Sequence, residues 1–158
     1  MSDAEDRCIP HLPTSMAEVT VASQPAPPVA GALPAPGPVL VVDDDDMVRW
    51  GTARKLRRAG YEVLEAAGAD EALICMQERG ASVSLMLSDV IMPKQSGYEL
   101  CQEVRRRWPQ AQVLLVSGYT PVAMDRHGIQ TQGLRVLRKP VADLLEIVMR
   151  LIGPPQSV

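Results

Sequence analysis

The chain reads as an α/β protein: a doubly wound parallel sheet of five strands flanked by five helices. Three observations predict that class. From Val39 onward, short apolar runs alternate with stretches of helical periodicity, the signature of βαβ units. The third run, Val83-Ser84-Leu85-Met86-Leu87-Ser88, is nearly all apolar at its centre, as a strand covered on both faces must be. Four of the runs end in residues that carry chemistry: Asp43 to Asp46 after Val39–Val42, Asp89 after the third run, Ser117-Gly118 after Val113–Val116, and Arg138-Lys139-Pro140 after Leu134–Leu137. Parallel strands present their carboxyl ends along one edge, and ligands of such sheets sit in the crevice beyond it.

Taken in order, the first strand is Val39–Val42. The helix after it is expected from about Asp45 or Asp46, where acidic side chains suit free N–H groups and the helix dipole. Val48, Thr52, Leu56 and Ala59 form its expected buried stripe, and Gly60 stops it. A second strand, Tyr61–Ala66, leads to a helix over about 69–78 that buries Ala72, Leu73 and Met76 and ends near Gly80. The third strand runs to Asp89. A loop through Met92-Pro93 to Gly97 precedes a helix over about 98–107, which buries Leu100, Cys101 and Val104. Its last turn holds Arg105, Arg106 and Arg107, where the dipole favours cations, so a structural role is expected for them. Pro109 ends that helix. Strand four is Gln112–Val116, a short helix covers Pro121–Arg126, strand five is Leu134–Leu137, and the last helix is Val141–Ile152.

Composition narrows the function. The 158 residues are 46% hydrophobic and 22% charged with a net charge of -3, so no global basic field attracts nucleic acid. Three cysteines, Cys8, Cys75 and Cys101, lack CxxC or CxxH spacing, which fits reduced thiols and a cytoplasmic setting. No segment approaches the roughly 18 apolar residues of a membrane helix, and Asp3, Glu5 and Asp6 stand where a signal peptide is basic. Eight of the 14 prolines fall in residues 1–38, in a stretch with neither helical nor strand periodicity, so that segment is expected to be a disordered or extended tail. Residues 39–152 then form one domain, and 153–158 a short C-terminal tail.

The strand ends suggest a specific chemistry. Mg²⁺ takes about six oxygens, usually one or two carboxylates with waters and phosphate oxygens, and Asp43, Asp44 and Asp89 can supply the carboxylates. Three carboxylates in one crevice repel one another unless a cation joins them. An aspartate beside such a metal can act as a nucleophile and form an acyl phosphate. Ser117 can donate to a phosphoryl oxygen, and Lys139 can neutralise another. Alone, a run of four Asp is a solvated helix cap, and a strand-end Asp, a Ser-Gly turn or a Lys-Pro helix start is ordinary. Their coincidence at four strand ends carries the inference. His11 and His127 are too separated in sequence to form a metal pair, and Trp50 and Trp108 are assigned to helix surfaces or ends without a role.

The stretches VLVVDDDDMVR, LSDVIMPKQSGYEL, LLVSGYT and LRKP occur in this order, and with them residues 39–152 resemble the receiver domain of bacterial two-component response regulators. The resemblance implies a flavodoxin-like sheet with strand order 2-1-3-4-5. It implies that Asp89 is the phosphoacceptor, served by a phosphohistidine on a sensor histidine kinase or histidine phosphotransfer protein. Asp43, Asp44, Asp89 and the backbone carbonyl of Ile91 would hold Mg²⁺. Ser117 matches the switch Ser/Thr, Lys139 the phosphoryl-contacting lysine, Pro140 the cis-proline candidate, and Met92, Pro93 and Gly97 the loop after the acceptor. Position 136, which in the family often holds an aromatic switch partner, is Val136, so aromatic rotation is not expected as the output signal. No output domain follows Ile152, so the signal is expected to go to another protein, with homodimerisation on phosphorylation left open. Bulky Ile91 and Tyr119, two residues beyond the acceptor and the switch serine, predict slow autodephosphorylation. The implied molecule is a phosphoacceptor switch that loads and unloads itself, not a turnover enzyme.

Two other functions stand beside it. Asp44-Asp45-Asp46-Met47-Val48 also fits the DxDx(T/V) pattern of haloacid-dehalogenase-like phosphatases, but the acidic pair those enzymes place after the lysine is missing, with only Asp143 nearby, and Asp89 is left unexplained. A receiver that docks regardless of phosphorylation is the third. Nucleotide binding has no support, since a glycine-rich phosphate loop is absent.

Overall fold

A computed structural model describes residues 36–155 except 127, 129, 130 and 132. The expected tail therefore lies outside the described residues apart from its last three, as do Cys8, His11 and His127. The elements are β1 (Val39–Val42), α1 (Asp46–Arg58), β2 (Val63–Ala66), α2 (Ala69–Arg79), β3 (Leu85–Asp89), α3 (Gly97–Arg107), β4 (Gln112–Ser117), α4 (Pro121–Arg126), β5 (Val136–Arg138) and α5 (Leu144–Ile152). All strand pairs are parallel, in the order β2-β1-β3-β4-β5. The expected class and strand order both hold.

The period-2 pattern of the strands builds two cores. Leu40, Val42, Met86 and Leu115 face one layer, which Ala72, Met76, Leu100, Cys101 and Val104 of α2 and α3 complete. Val39, Val41, Leu85, Leu87 and Leu114 face the other, against Ala53 and Leu56 of α1 and Leu144 and Val148 of α5. A strand apolar at successive positions can be stable only when both faces are covered, which explains the run in β3.

Several boundaries differ from expectation for local reasons. In α1 the buried positions are Ala53 and Leu56, while Thr52 and Ala59 are half-buried and Val48 is exposed. The buried face is centred on Ala53 and Leu56, and the first turn contributes nothing to it. Leu73 is likewise half-buried, and Ala69 is buried instead. Strand β5 begins at Val136 because Gly133, with φ +76, turns the chain just before it. Helix α5 starts three residues late, since a turn at Ala142-Asp143 precedes it; the Lys139–Pro140 peptide bond is cis. Helix α3 starts at Gly97 under a capping box in which Ser96 and Glu99 satisfy each other's backbone N–H groups. Of the arginines ending α3, Arg105 donates to the Gly133 carbonyl at 3.0 Å and Arg107 pairs with Glu103, the structural role expected for them. Trp108 caps α3, packs on the core and stacks under the Arg107 guanidinium, 4.4 Å from the ring centre.

Candidate functional site

The sheet register assembles the site. Val42 pairs with Ser88, so Asp43 and Asp89 emerge side by side one step later. Asp89 pairs with Val116, which puts Ser117 one step beyond, and Ser117 pairs with Arg138, which delivers Lys139. Four residues distant in sequence thus form one row along the carboxyl edge.

Each carboxylate has a different setting. Asp43 is buried; one of its oxygens accepts from the Asp45 backbone N–H at 3.0 Å and the other from Lys139 Nζ at 2.6 Å. Asp44 is exposed, and Asp89 is half-buried. Asp45 is the N-cap of α1, accepting from Met47 and Val48, so it is spent on the helix. One carboxylate oxygen from each of Asp43, Asp44 and Asp89 lies within 4.8 Å of the others. Three hard oxygen donors that close, with room for waters, suit a Mg²⁺ ion, so the residues present fit the group.

Lys139 Nζ also reaches Asp89 Oδ1 at 3.3 Å and so bridges two of the three acids. Burial holds the Asp89 carboxyl above the ordinary range; Lys139 opposes that rise and Asp43 adds to it. Burial alone would lower the Lys139 ammonium, but the hydrogen bond to Asp43 and the charges of Asp89 and Asp43 outweigh it, so its pKa is raised. The lysine is thereby held in its protonated form.

The surrounding residues hold the backbone. Gly97 N–H donates to the Val90 carbonyl at 2.9 Å, and Ser88 Oγ donates to the Asp89 carbonyl at 2.9 Å. Arg49 donates to the Asp43 carbonyl at 2.8 Å. Arg49, Ser88 and the Ser96–Glu99 box were not singled out from sequence; only the last had a legible signal, a Ser-x-x-Glu ahead of an apolar helix. Ser117 is buried at 1% exposure, and its Oγ accepts from the Tyr119 N–H at 3.0 Å, which leaves the hydroxyl proton available to a ligand. Met92 is buried, Pro93 exposed, and Lys94 between Pro93 and Gly97 has φ 70. Ile91 and Tyr119 are exposed, 40% and 46%. Pro140 follows the cis bond, and Val136 lies half-buried in β5.

A family model described as the response regulator receiver domain matches residues 39–151, most of the chain. The chain belongs to that family. The receiver is 44% identical over 89 residues to the sensor kinase CckA of Brucella abortus, a match that covers 56% of this chain and 9% of the kinase. It is 27% identical over 116 residues to the response regulator receiver protein CpdR of the same organism, covering 72% of this chain and 95% of that one. The crystal structure of the receiver domain from the hybrid histidine kinase CckA superposes with a TM-score of 0.61 at 39% identity, over 73% of this chain and 98% of that domain. The receiver spans only a small part of the kinase it resembles, whereas it spans nearly all of CpdR. Among the described residues no helix is long and apolar enough to cross a membrane.

Proposed function

We propose that the chain is a phosphorylation switch that accepts a phosphoryl group on Asp89 from a phosphohistidine of a sensor kinase or histidine phosphotransfer protein and passes the signal to a protein target. The observation that carries this reading is Lys139 Nζ lying 2.6 Å from Asp43 and 3.3 Å from Asp89 beside the buried Ser117. A cation and a hydroxyl flank one carboxylate that is neither spent on a helix cap nor fully buried.

On this reading Asp43, Asp44 and Asp89, with the Ile91 carbonyl, would hold Mg²⁺, which would supply charge neutralisation for an incoming phosphoryl group. The Asp89 carboxylate attacks phosphorus and the donor's bond to it breaks. Lys139 then exchanges its carboxylate partners for a phosphoryl oxygen, and Ser117 donates its hydroxyl proton to another. The switching unit is residues 39–152, flanked by the N-terminal tail and a short C-terminal one. The phosphatase alternative would make exposed Asp44 the nucleophile and leave the Asp89–Lys139 contact without a purpose.

Intact mass after incubation with acetyl phosphate and Mg²⁺, beside an Asp89→Ala control, tests the reading. A stoichiometric, base-labile gain of one phosphoryl group that is absent from the control is expected. Steady phosphate release that survives the loss of Asp89, or no adduct at all, would overturn it.

A further inference from the structure

Between α1 and the loop from Lys139 to Leu144 the structure leaves an open groove of about 470 Å³, within the range of small-molecule sites. Its walls are apolar: Val48 from α1, Val141 and Leu144 opposite, with Leu87 and Val116 of the sheet below. Asp43, Asp89 and Lys139 also line it, so the groove opens onto the acid cluster. Two features create the space. Gly51 in α1 has no side chain, and a Cβ added there meets nothing within 4 Å. The late start of α5 leaves the span before Leu144 without helix.

The groove also carries a cation. Lys55 Nζ donates to the Ala142 carbonyl at 3.3 Å, across from α1, and makes no ion pair among the described residues. A ligand matched to these walls has a short hydrocarbon body, a phosphoryl group at the end that meets Asp89, and a leaving atom that becomes an anion. That is the chemistry of an aliphatic acyl phosphate.

We propose that this groove receives the hydrocarbon part of small acyl phosphates, so that donors with three or four carbons load Asp89 faster than acetyl phosphate does. The inference rests on Asp89 being the phosphoacceptor. In the transfer an Asp89 carboxylate oxygen forms a bond to phosphorus and the bond from phosphorus to the acyl oxygen breaks. The electron pair departs with the carboxylate, which is ionised at neutral pH, so no proton has to be supplied and nothing is oxidised or reduced.

The test compares initial rates of phosphorylation of the full chain with Mg²⁺ and equal concentrations of acetyl, propionyl and butyryl phosphate, read by intact mass. Each added methylene buried in the groove is expected to raise the rate about two- to fourfold, giving butyryl phosphate a lead of roughly four- to fifteenfold. Gly51→Leu fills the groove and favours the helix, so the variant is expected to fold and to bring the butyryl-to-acetyl ratio down to near one. Equal rates for all three donors in the parent chain, or a ratio that Gly51→Leu does not change, would overturn the proposal while leaving the phosphoacceptor intact. Labelling by no donor would overturn both. Flat donor rates, with Gly51→Leu slowing transfer only from a phosphorylated histidine protein, would assign the groove to a protein side chain and sink the proposal.

Discussion

Gly97→Ala offers the sharpest separation between a structural glycine and one that positions the site. Gly97 opens α3, and its α-carbon lies directly against the end of β3. A Cβ built there overlaps the Asp89 carbonyl oxygen and comes within 2.8 Å of the Asp89 carbonyl carbon and of Ser88 Oγ. Ordinary contact starts at 3.4 Å. The overlap with the carbonyl oxygen is the tightest of the three, so the methyl group must push α3 and the end of β3 apart by more than about an ångström, a shift at the upper end of the range, about 1–3 kcal/mol, that overpacked interiors cost. Its φ is not among the positive ones, so the cost is steric and not conformational.

Without the clash the substitution would stabilise, because alanine is the better helix residue by up to about 1 kcal/mol. The sign of the measured change thus decides the matter. A net loss of about 1–2 kcal/mol is expected, seen as a melting temperature lower by roughly 4–8 °C for a domain of this size. The phosphorylation rate with acetyl phosphate, measured well below the melting point, is expected to fall at least about tenfold, since a displacement of about 1 Å can cost a factor of a hundred. A variant that melts at or above the parent and labels within about twofold of its rate would refute the reasoning.

Ser96→Ala removes the capping box of α3 and is expected to cost about 1 kcal/mol in chemical denaturation, with the slope of the transition unchanged. For Asp89 the sign follows from its raised pKa: folding favours the protonated acid, so its contribution is full below the unfolded value of about 3.9 and is lost as pH rises through the higher folded value. Asp89→Asn, neutral throughout, should melt higher than the parent at pH 7 in chelator, with the gap closing toward pH 4; equal melting at pH 7 would refute this. Lys139→Met removes the ammonium that bridges Asp43 and Asp89, so calorimetry should find Mg²⁺ bound more tightly, by about tenfold in the order-of-magnitude sense of a lost like-charge repulsion, while phosphorylation slows. Weaker Mg²⁺ binding with an unchanged rate would contradict it. Ile91→Asn combined with Tyr119→Ala replaces apolar bulk at the rim by smaller or polar groups, and the half-life of the phosphoprotein should shorten as water gains access; an unchanged half-life means that neither residue shields the site.

Most of the sheet was legible because each strand is a short apolar run punctuated by a charged or turn residue, and because parallel pairing aligns those punctuation points along one edge. Asp43, Asp89, Ser117 and Lys139 could be grouped before any coordinates for that reason. What was not legible depends on packing between elements. Val48 carries the right periodicity for the buried face of α1, yet it lies over the groove where no helix covers it. The start of α5 could not be read from Val141, because a turn at Ala142-Asp143 delays the helix by three residues. Arg49 looks like one more surface arginine in sequence and is seen as a brace of the acidic loop only once α1 brings it back to the Asp43 carbonyl.

The departures from ordinary local structure gather at one edge of the molecule. Lys94 at positive φ, the close approach of Gly97 to Asp89 and the three clustered carboxylates all lie beyond the carboxyl ends of the strands. Consistency between local preference and global fold is what stabilises a domain, so a concentration of exceptions marks where stability has been traded for something else. Here the trade is electrostatic: three acids face one lysine, and that lysine is shared between two of them. Such a cluster is poised for added positive charge and for a rearrangement of its single cation. The ammonium of Lys139 is held by two carboxylates, so a new anion on Asp89 would compete for it directly. On the proposed function, the contact that neutralises the resting site is the one a phosphoryl group on Asp89 would break, which would make the bond between strand end and lysine the first part to move.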